Sequence, residues 1–478
     1  MTLSLVRLYA VSAAAAAAAA AQGVNCRLLA NVNPMPGATS SRNHYAGMWG
    51  AVVNGRELAI LPARNGTYVY DCSNPSSPVL LGSIPGNAPS NGTYWREATS
   101  FGNFAYVGSE HAQVQVIDIS STPPVLVSTF GQSSHTVSVD PINRRLWVNG
   151  GAFNGARIYD IGANPFSPPL LTSYASAYVH DCYPADGYCY LAQINSGNLR
   201  ILDTRNFPTL TVVSTTTTPG QFTHNAWTNA DQTLLVTTDE NRGGCLTFYD
   251  IRVKSSPIQL STWCSPDGAT VHNAFIKGKV VLLSSYTAGF YAVDISEPAT
   301  PRLIASYDTS PRTGNNYNGC WGAYPLQPSG AVYLADMEHG LFIVEPTCGV
   351  PVQYGTGTAG TGGKTPKVDY GGGFAQVGRT TFLLEGTDLA PNAPAALFIG
   401  SASASIPAFG ITVNLDLSQP YAMIPTSADG QGRFAINVPL PGHAGAAGAT
   451  IYAQVVAIDA AGPQGLSASQ GFRVTICP

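Results

Sequence analysis

Between Trp49 and Glu345, apolar and polar positions alternate over short runs broken every few residues by Gly, Ser, Asn or Pro, the pattern of brief β-strands joined by tight turns. The clearest stretch starts at His272 and reads HNAFIKGKVVLLSSYTAGFYAVDISEPATPRLIASYD, which predicts four successive strands. The phrase recurs seven times, opening on Trp49, Trp95, His135, His180, His224, His272 and Trp321. Its third strand closes on Asp71, Asp118, Asp160, Asp203, Asp250, Asp294 and Glu345, always 22 to 26 residues after the opening residue. Units of about 45 residues with four strands each are the arithmetic of a propeller, so the predicted fold class is all-β, with a seven-bladed β-propeller over residues 26–348.

Most repeats end in an outer strand of similar wording, such as VLLGSI from Val79 and LIASYD from Leu303. The last repeat lacks one, and the missing phrase stands near the N-terminus as LLANVN, Leu28 to Asn33. This early strand is expected to complete the last blade, which removes two open edges and ties the ring shut. The composition GTGTAGTGG from Gly355 predicts a flexible linker over residues 349–369. Gly355, Gly357 and Gly360 satisfy GxGxxG there, but Pro366 blocks the helix that a phosphate site needs. Residues 370–478 hold further alternating segments, such as TIYAQVVAID from Thr450, and predict a small β-sandwich.

Only 10% of residues are charged and the net charge of -4 is spread out, with no basic stripe, which excludes nucleic acid as a partner class. Residues 1–21 read as an export signal: Arg7 is their only charge, and an apolar, Ala-rich stretch follows it. No later segment offers about 20 uninterrupted apolar residues, so the mature chain is expected to be soluble and either secreted or held at the cell surface. Export admits disulfides, and the repeat template suggests Cys182 with Cys189, Cys245 with Cys264, and Cys26 with Cys348.

Histidine is scarce, and half of the eight in the chain, His135, His180, His224 and His272, share one position in four consecutive repeats. In a propeller, the loop entering the innermost strand and the turn between the second and third strands lie on one face. Asp181, Asp239 and Glu240 are therefore expected beside the histidines, with Glu110, His111, Glu338 and His339 as a secondary rim. Imidazoles and carboxylates converging there suit a divalent metal or an acid/base pair acting on a bound ligand. The competing reading makes each His a backbone cap copied along with its repeat. The acids closing the third strands read as turn caps. No GxSxG or HExxH motif supports a familiar hydrolase.

The phrases WREATSFGNFAYV at Trp95, HD at His180, HNAW at His224, HNAF at His272, GCWGAYP at Gly319 and GLFIVEP at Gly340 resemble those of LVIVD-repeat propellers, in particular the bacterial choice-of-anchor B family of exported surface proteins. The resemblance spans roughly residues 26 to 346 and implies surface display without assigning a biochemical role. The expected function is binding of a small molecule or protein partner on the His-rich face, with envelope attachment through the C-terminal domain. A metal-dependent hydrolase or oxidoreductase and a purely structural envelope protein are the alternatives.

Overall fold

The computed structural model describes residues 23–37, 43–87 and 95–478. The export signal expected over 1–21 lies outside them. Each repeat forms one antiparallel sheet of four strands taken in chain order, as in Ala274–Lys277, Val280–Ser285, Gly289–Asp294 and Arg302–Tyr307. The second strand of that unit, VVLLSS, is buried at every position. A strand covered on both faces loses its alternation, and here the sheets stack face to face. The innermost strands run from Trp49–Val53 through Ala98–Phe101, Thr136–Asp140, Asp181–Ala185, Thr223–Thr228 and Ala274–Lys277, each against the next. Cys320–Tyr324 packs on the sixth sheet and returns to Trp49–Val53, so the sheets close into a β-propeller.

Cys26–Val32 pairs antiparallel with Gly340–Pro346 and supplies the outer strand of the last sheet from the other end of the chain. Gly23–Val24 adds a short fifth strand to Arg302–Tyr307. Every pairing of third with outer strand carries a bulge, as between Val69 and Tyr70 or Ala292 and Val293. An extra residue at a fixed place sharpens the local twist, which turns each outer edge relative to the channel. The acids closing the third strands cap their turns: Ser73 N donates to Asp71 at 2.9 Å, Ser120 N to Asp118 at 2.8 Å and Arg205 N to Asp203 at 2.9 Å. Glu345 instead binds Arg27 Nε at 2.7 Å and so fastens the early strand.

The Gly/Thr-rich stretch expected to be a linker is part of the second unit. Val352–Tyr354 pairs with Gly471–Thr475, and Thr361 N and Oγ1 donate to the Asp459 carboxylate at 2.8 and 2.7 Å. These bonds consume the polar groups that a linker would leave to water. The second unit also contains Thr450–Ile458, Pro394–Gly400 and Tyr421–Ser427 in one sheet, and Lys367–Gly371, Leu383–Thr387 and Phe434–Asn437 in another. It docks on the sixth sheet through a shared core that includes Val280, Leu282, Phe290, Tyr370, Phe374 and Phe472. Asp294, a turn cap in its repeat, also accepts bonds from Tyr370 Oη at 3.0 Å and Phe374 N at 3.2 Å.

The cysteines depart from expectation in two places. Cys245 bonds Cys264, each one residue beyond the paired Leu246 and Trp263 that end adjacent strands. Cys348 bonds Cys477, not Cys26, because the last strand of the second unit brings Cys477 to it, whereas Cys26 faces the core opposite Pro346. Cys182 and Cys189 remain thiols. Cys182 opposes Leu191 while Cys189 opposes Pro184, so the two are diagonal across the ladder. No helix among the described residues is long and apolar enough to cross a membrane.

Candidate functional site at the channel mouth

The hydrogen-bond register defines which residues are equivalent. Where the first two strands of a repeat join through a two-residue turn, the first strand ends at Val53, Phe101, Ala185 or Lys277. Counting five residues back reaches His180 and His272, but it reaches Met48 and Arg96 in the first two repeats. Trp49 and Trp95 are therefore not at the histidine position, and Trp321 alone takes that place with an indole. The shift also reveals Glu97. Gly108 N donates to Glu97 O as Ser284 N does to Asn273 O, so Glu97 stands where other repeats carry Asp181, Asn225 and Asn273.

His135, His180, His224 and His272 form an arc of mutually tilted imidazoles, with successive ring centroids 4.1, 4.3 and 4.1 Å apart, and Trp321 extends it at 4.6 Å. All four histidines are buried. His180 Nδ1 lies 3.0 Å from the carbonyl oxygen of His224. A carbonyl only accepts, so Nδ1 carries the proton and Nε2 keeps a lone pair. The backbone carbonyls of His272 and Trp321 act on His224 and His272 in the same sense, each from the following repeat. The geometry is looser there: His224 Nδ1 and both ring nitrogens of His272 lack a hydrogen-bond partner. The capping reading thus holds in full for His180 alone, whose bond runs forward to the next sheet, while His135 Nδ1 meets Glu110 instead.

Burial, reinforced by the charge of neighbouring imidazoles, holds His180, His224 and His272 well below the ordinary histidine range and so neutral. His135 differs. Burial lowers it, but its 2.5 Å contact with Glu110 Oε1 and the nearby charges of Glu97 and Glu240 outweigh burial and leave it raised. Glu110 is lowered in turn, because the bond and charge of His135 overcome its own desolvation.

Glu240 projects between two rings, with Oε2 3.6 Å from His224 Nε2 and Oε1 3.7 Å from His272 Nε2. Tyr286 Oη donates to the same carboxyl group. Burial raises Glu240 to about 7. Glu97 accepts from Trp321 Nε1 at 2.5 Å and is likewise pushed by burial to about 7. A cavity of about 80 Å³ is lined by Glu97, His135, His180, His224, Trp227 and Phe275 among others, and Glu240 and Tyr286 stand outside it.

Other expected residues serve the scaffold. Asp239 turns away from the arc and accepts from Thr218 Oγ1 at 2.5 Å, Phe222 N at 2.9 Å and Gly220 N at 3.0 Å, which cancels the repulsion expected of adjacent acids. Asp181 lines the cavity, yet its oxygens are taken by Cys182 N and Asn225 Nδ2, both at 2.8 Å. Glu338 pairs with Arg312 at 3.2 Å, and His339 Nδ1 meets Asp336 at 2.9 Å, a network separate from the arc. His111 is exposed. Glu97 and Tyr286 went unpredicted. Glu97 had one signal in the sequence, an acid immediately before the inner strand Ala98–Phe101.

Residues 63–85, 100–130 and 283–309 match the LVIVD repeat family model. No curated protein sequence matches the chain significantly. Among solved structures, the β-propeller domain of Cps50 (Swd1) from Myceliophteria thermophila is similar at 9% identity and a TM-score of 0.48, with 67% of this chain and 98% of that chain covered. The chain carries LVIVD repeats within a β-propeller.

Proposed function

We propose that this is an exported, surface-displayed binding protein whose seven-bladed propeller captures a ligand on its His-rich face, while the C-terminal β-sandwich tethers it to the envelope. One observation carries the reading: a cavity at the channel mouth is walled by the neutral imidazoles of His180 and His224, the raised imidazole of His135, aromatic rings and a carboxyl group that titrates near neutrality. A buried wall of hydrogen-bond donors and acceptors is costly to maintain unless something pairs with it. About 80 Å³ admits a small polar group, either a small molecule or a side chain presented by a partner. The resemblance to choice-of-anchor B proteins supports surface display.

The test is NMR on the full mature chain labelled at histidine nitrogen, titrated with acetate, methylammonium, glycine and imidazole. At least one probe is expected to shift the imidazole resonances of the arc at concentrations up to about 10 mM, the range of weak single-group binding. If none of the four moves any arc resonance, the binding reading fails.

A further inference from the structure

The arc holds a donor set more specific than a polar wall. The ligating atoms of His180, His224 and Glu240 lie within 4.8 Å of one another. Donors around a tetrahedral metal with bonds of about 2.0–2.1 Å stand roughly 3.4 Å apart, and the His224 Nε2 to Glu240 Oε2 separation is already 3.6 Å. The backbone carbonyl behind His180 holds Nδ1 protonated and presents Nε2 as the free donor, the support that metal-binding histidines use. Tyr286 plays the corresponding part for Glu240. A separate observation points the same way: His272 Nε2 is fully buried, has no hydrogen-bond partner, and faces the same carboxylate at 3.7 Å. A buried polar atom left unpaired costs on the order of 1–3 kcal/mol, and a shared cation would relieve it.

The cluster of Asp336, Glu338 and His339 shows the contrast. Its ligating atoms also lie within 4.8 Å, but Asp336 already accepts from Glu338 N, His339 N and Thr309 Oγ1, and Glu338 is paired with Arg312. That cluster is complete without an ion.

We propose that His180, His224 and Glu240 hold one divalent transition-metal ion of the zinc class, with His272 Nε2 beside it as a further donor. Two imidazoles and a carboxylate favour zinc, copper, nickel or iron over calcium, which takes oxygen ligands. Three protein donors leave a coordination position for a Lewis-basic group of the ligand. The proposal rests on the reading that this face binds, and it names what does the binding.

The full mature chain, prepared without a histidine tag and stripped with chelator, is dialysed against Zn²⁺ and, separately, Co²⁺. About one equivalent of Zn²⁺ should remain, and the Co²⁺ form should show visible absorption from nitrogen and oxygen ligation. Glu240→Gln and His224→Gln should each weaken Zn²⁺ by about 100-fold or more, while His443→Ala in the second unit changes nothing. Glu240→Gln keeps an acceptor for Tyr286, so it reports on ligation even if the histidine variant misfolds by circular dichroism. Uptake below about 0.1 equivalent, or uptake unchanged in Glu240→Gln, overturns the metal site. If uptake fails and the metal-free chain still shifts its arc resonances with the organic probes, the metal site falls and the binding face survives; if metal binds and no organic probe does, the metal site stands and the organic-ligand reading falls.

Discussion

Replacing Glu97 by Gln should stabilise the protein, and only at neutral and higher pH. Glu97 lies at the channel mouth, where burial lifts its carboxyl from 4.5 to about 7, partly opposed by the Trp321 bond and the charge of His135. Raising a carboxyl that far makes the ionised folded form less favourable by about 3 kcal/mol. Below pH 4.5 the group is protonated in both folded and unfolded chains and contributes nothing to the pH dependence. As pH rises, the unfolded carboxyl ionises first, unfolding releases a proton, and stability falls until pH passes about 7. Gln keeps an oxygen to accept from Trp321 Nε1 and does not ionise. Urea unfolding of both proteins at pH 4.5, 6 and 8 should therefore give equal stabilities at the lowest pH and an advantage to Gln growing to about 2–3 kcal/mol at the highest. Titrating groups away from the site cancel in the difference, whereas His135, raised in part by the charge of Glu97, loses that support in the variant and trims the advantage. A gap that does not grow with pH, or a variant weaker at pH 8, would refute the reasoning.

Asp239→Ala should cost about 3 kcal/mol in urea unfolding, because Thr218 Oγ1, Phe222 N and Gly220 N lose their acceptor together, yet Zn²⁺ uptake should stay at the wild-type level. Loss of uptake by a folded Asp239→Ala chain would mean that the division between Asp239 and Glu240 is wrong. Cys477→Ser should destabilise the second unit and its dock, since the Cys348–Cys477 bond closes a loop of 129 residues, for which the chain-entropy limit is about 5 kcal/mol. Limited proteolysis should then cut within residues 349–478 before the propeller, and an unchanged cleavage pattern would contradict the account.

The propeller was legible because its information is periodic. Acids in equivalent turns and β-rich runs of constant spacing repeat the same physical demand, and even the return of Leu28 to Asn33 could be read from a phrase missing elsewhere. Register was harder. The openings Trp49 and Trp95 look equivalent to the histidines by wording, but pairing places Met48 and Arg96 there, a slip of one residue that hid Glu97. Period-two structure makes such a slip decisive, because neighbouring side chains face opposite sides. Asp239 and Glu240 failed to separate for the same reason: adjacent in sequence, one caps a loop of its own sheet and the other reaches the arc. The partner of Cys348 was illegible because it comes from a second unit with no repeat to align.

The two readings of the histidine repeat, backbone cap or ligand, are not alternatives once the ring nitrogens are treated separately. In His180, Nδ1 faces a carbonyl of the following sheet, and the carbonyls of His272 and Trp321 act on His224 and His272 in the same sense, which accounts for a histidine copied from repeat to repeat as a structural part. In His180 that contact fixes the tautomer, and a fixed tautomer leaves Nε2 without its proton. The equivalent positions in successive sheets then bring neighbouring rings to within about 4 Å whether or not any ligand selected for it. What the cap does not require is Glu240 reaching between His224 and His272 with Tyr286 holding it there. A carboxylate needs neither contact to finish its turn, as Asp239 beside it shows. The functional content of the site therefore lies in the residue that breaks the repeat, and Glu240→Gln tests function where a histidine variant would test both roles at once.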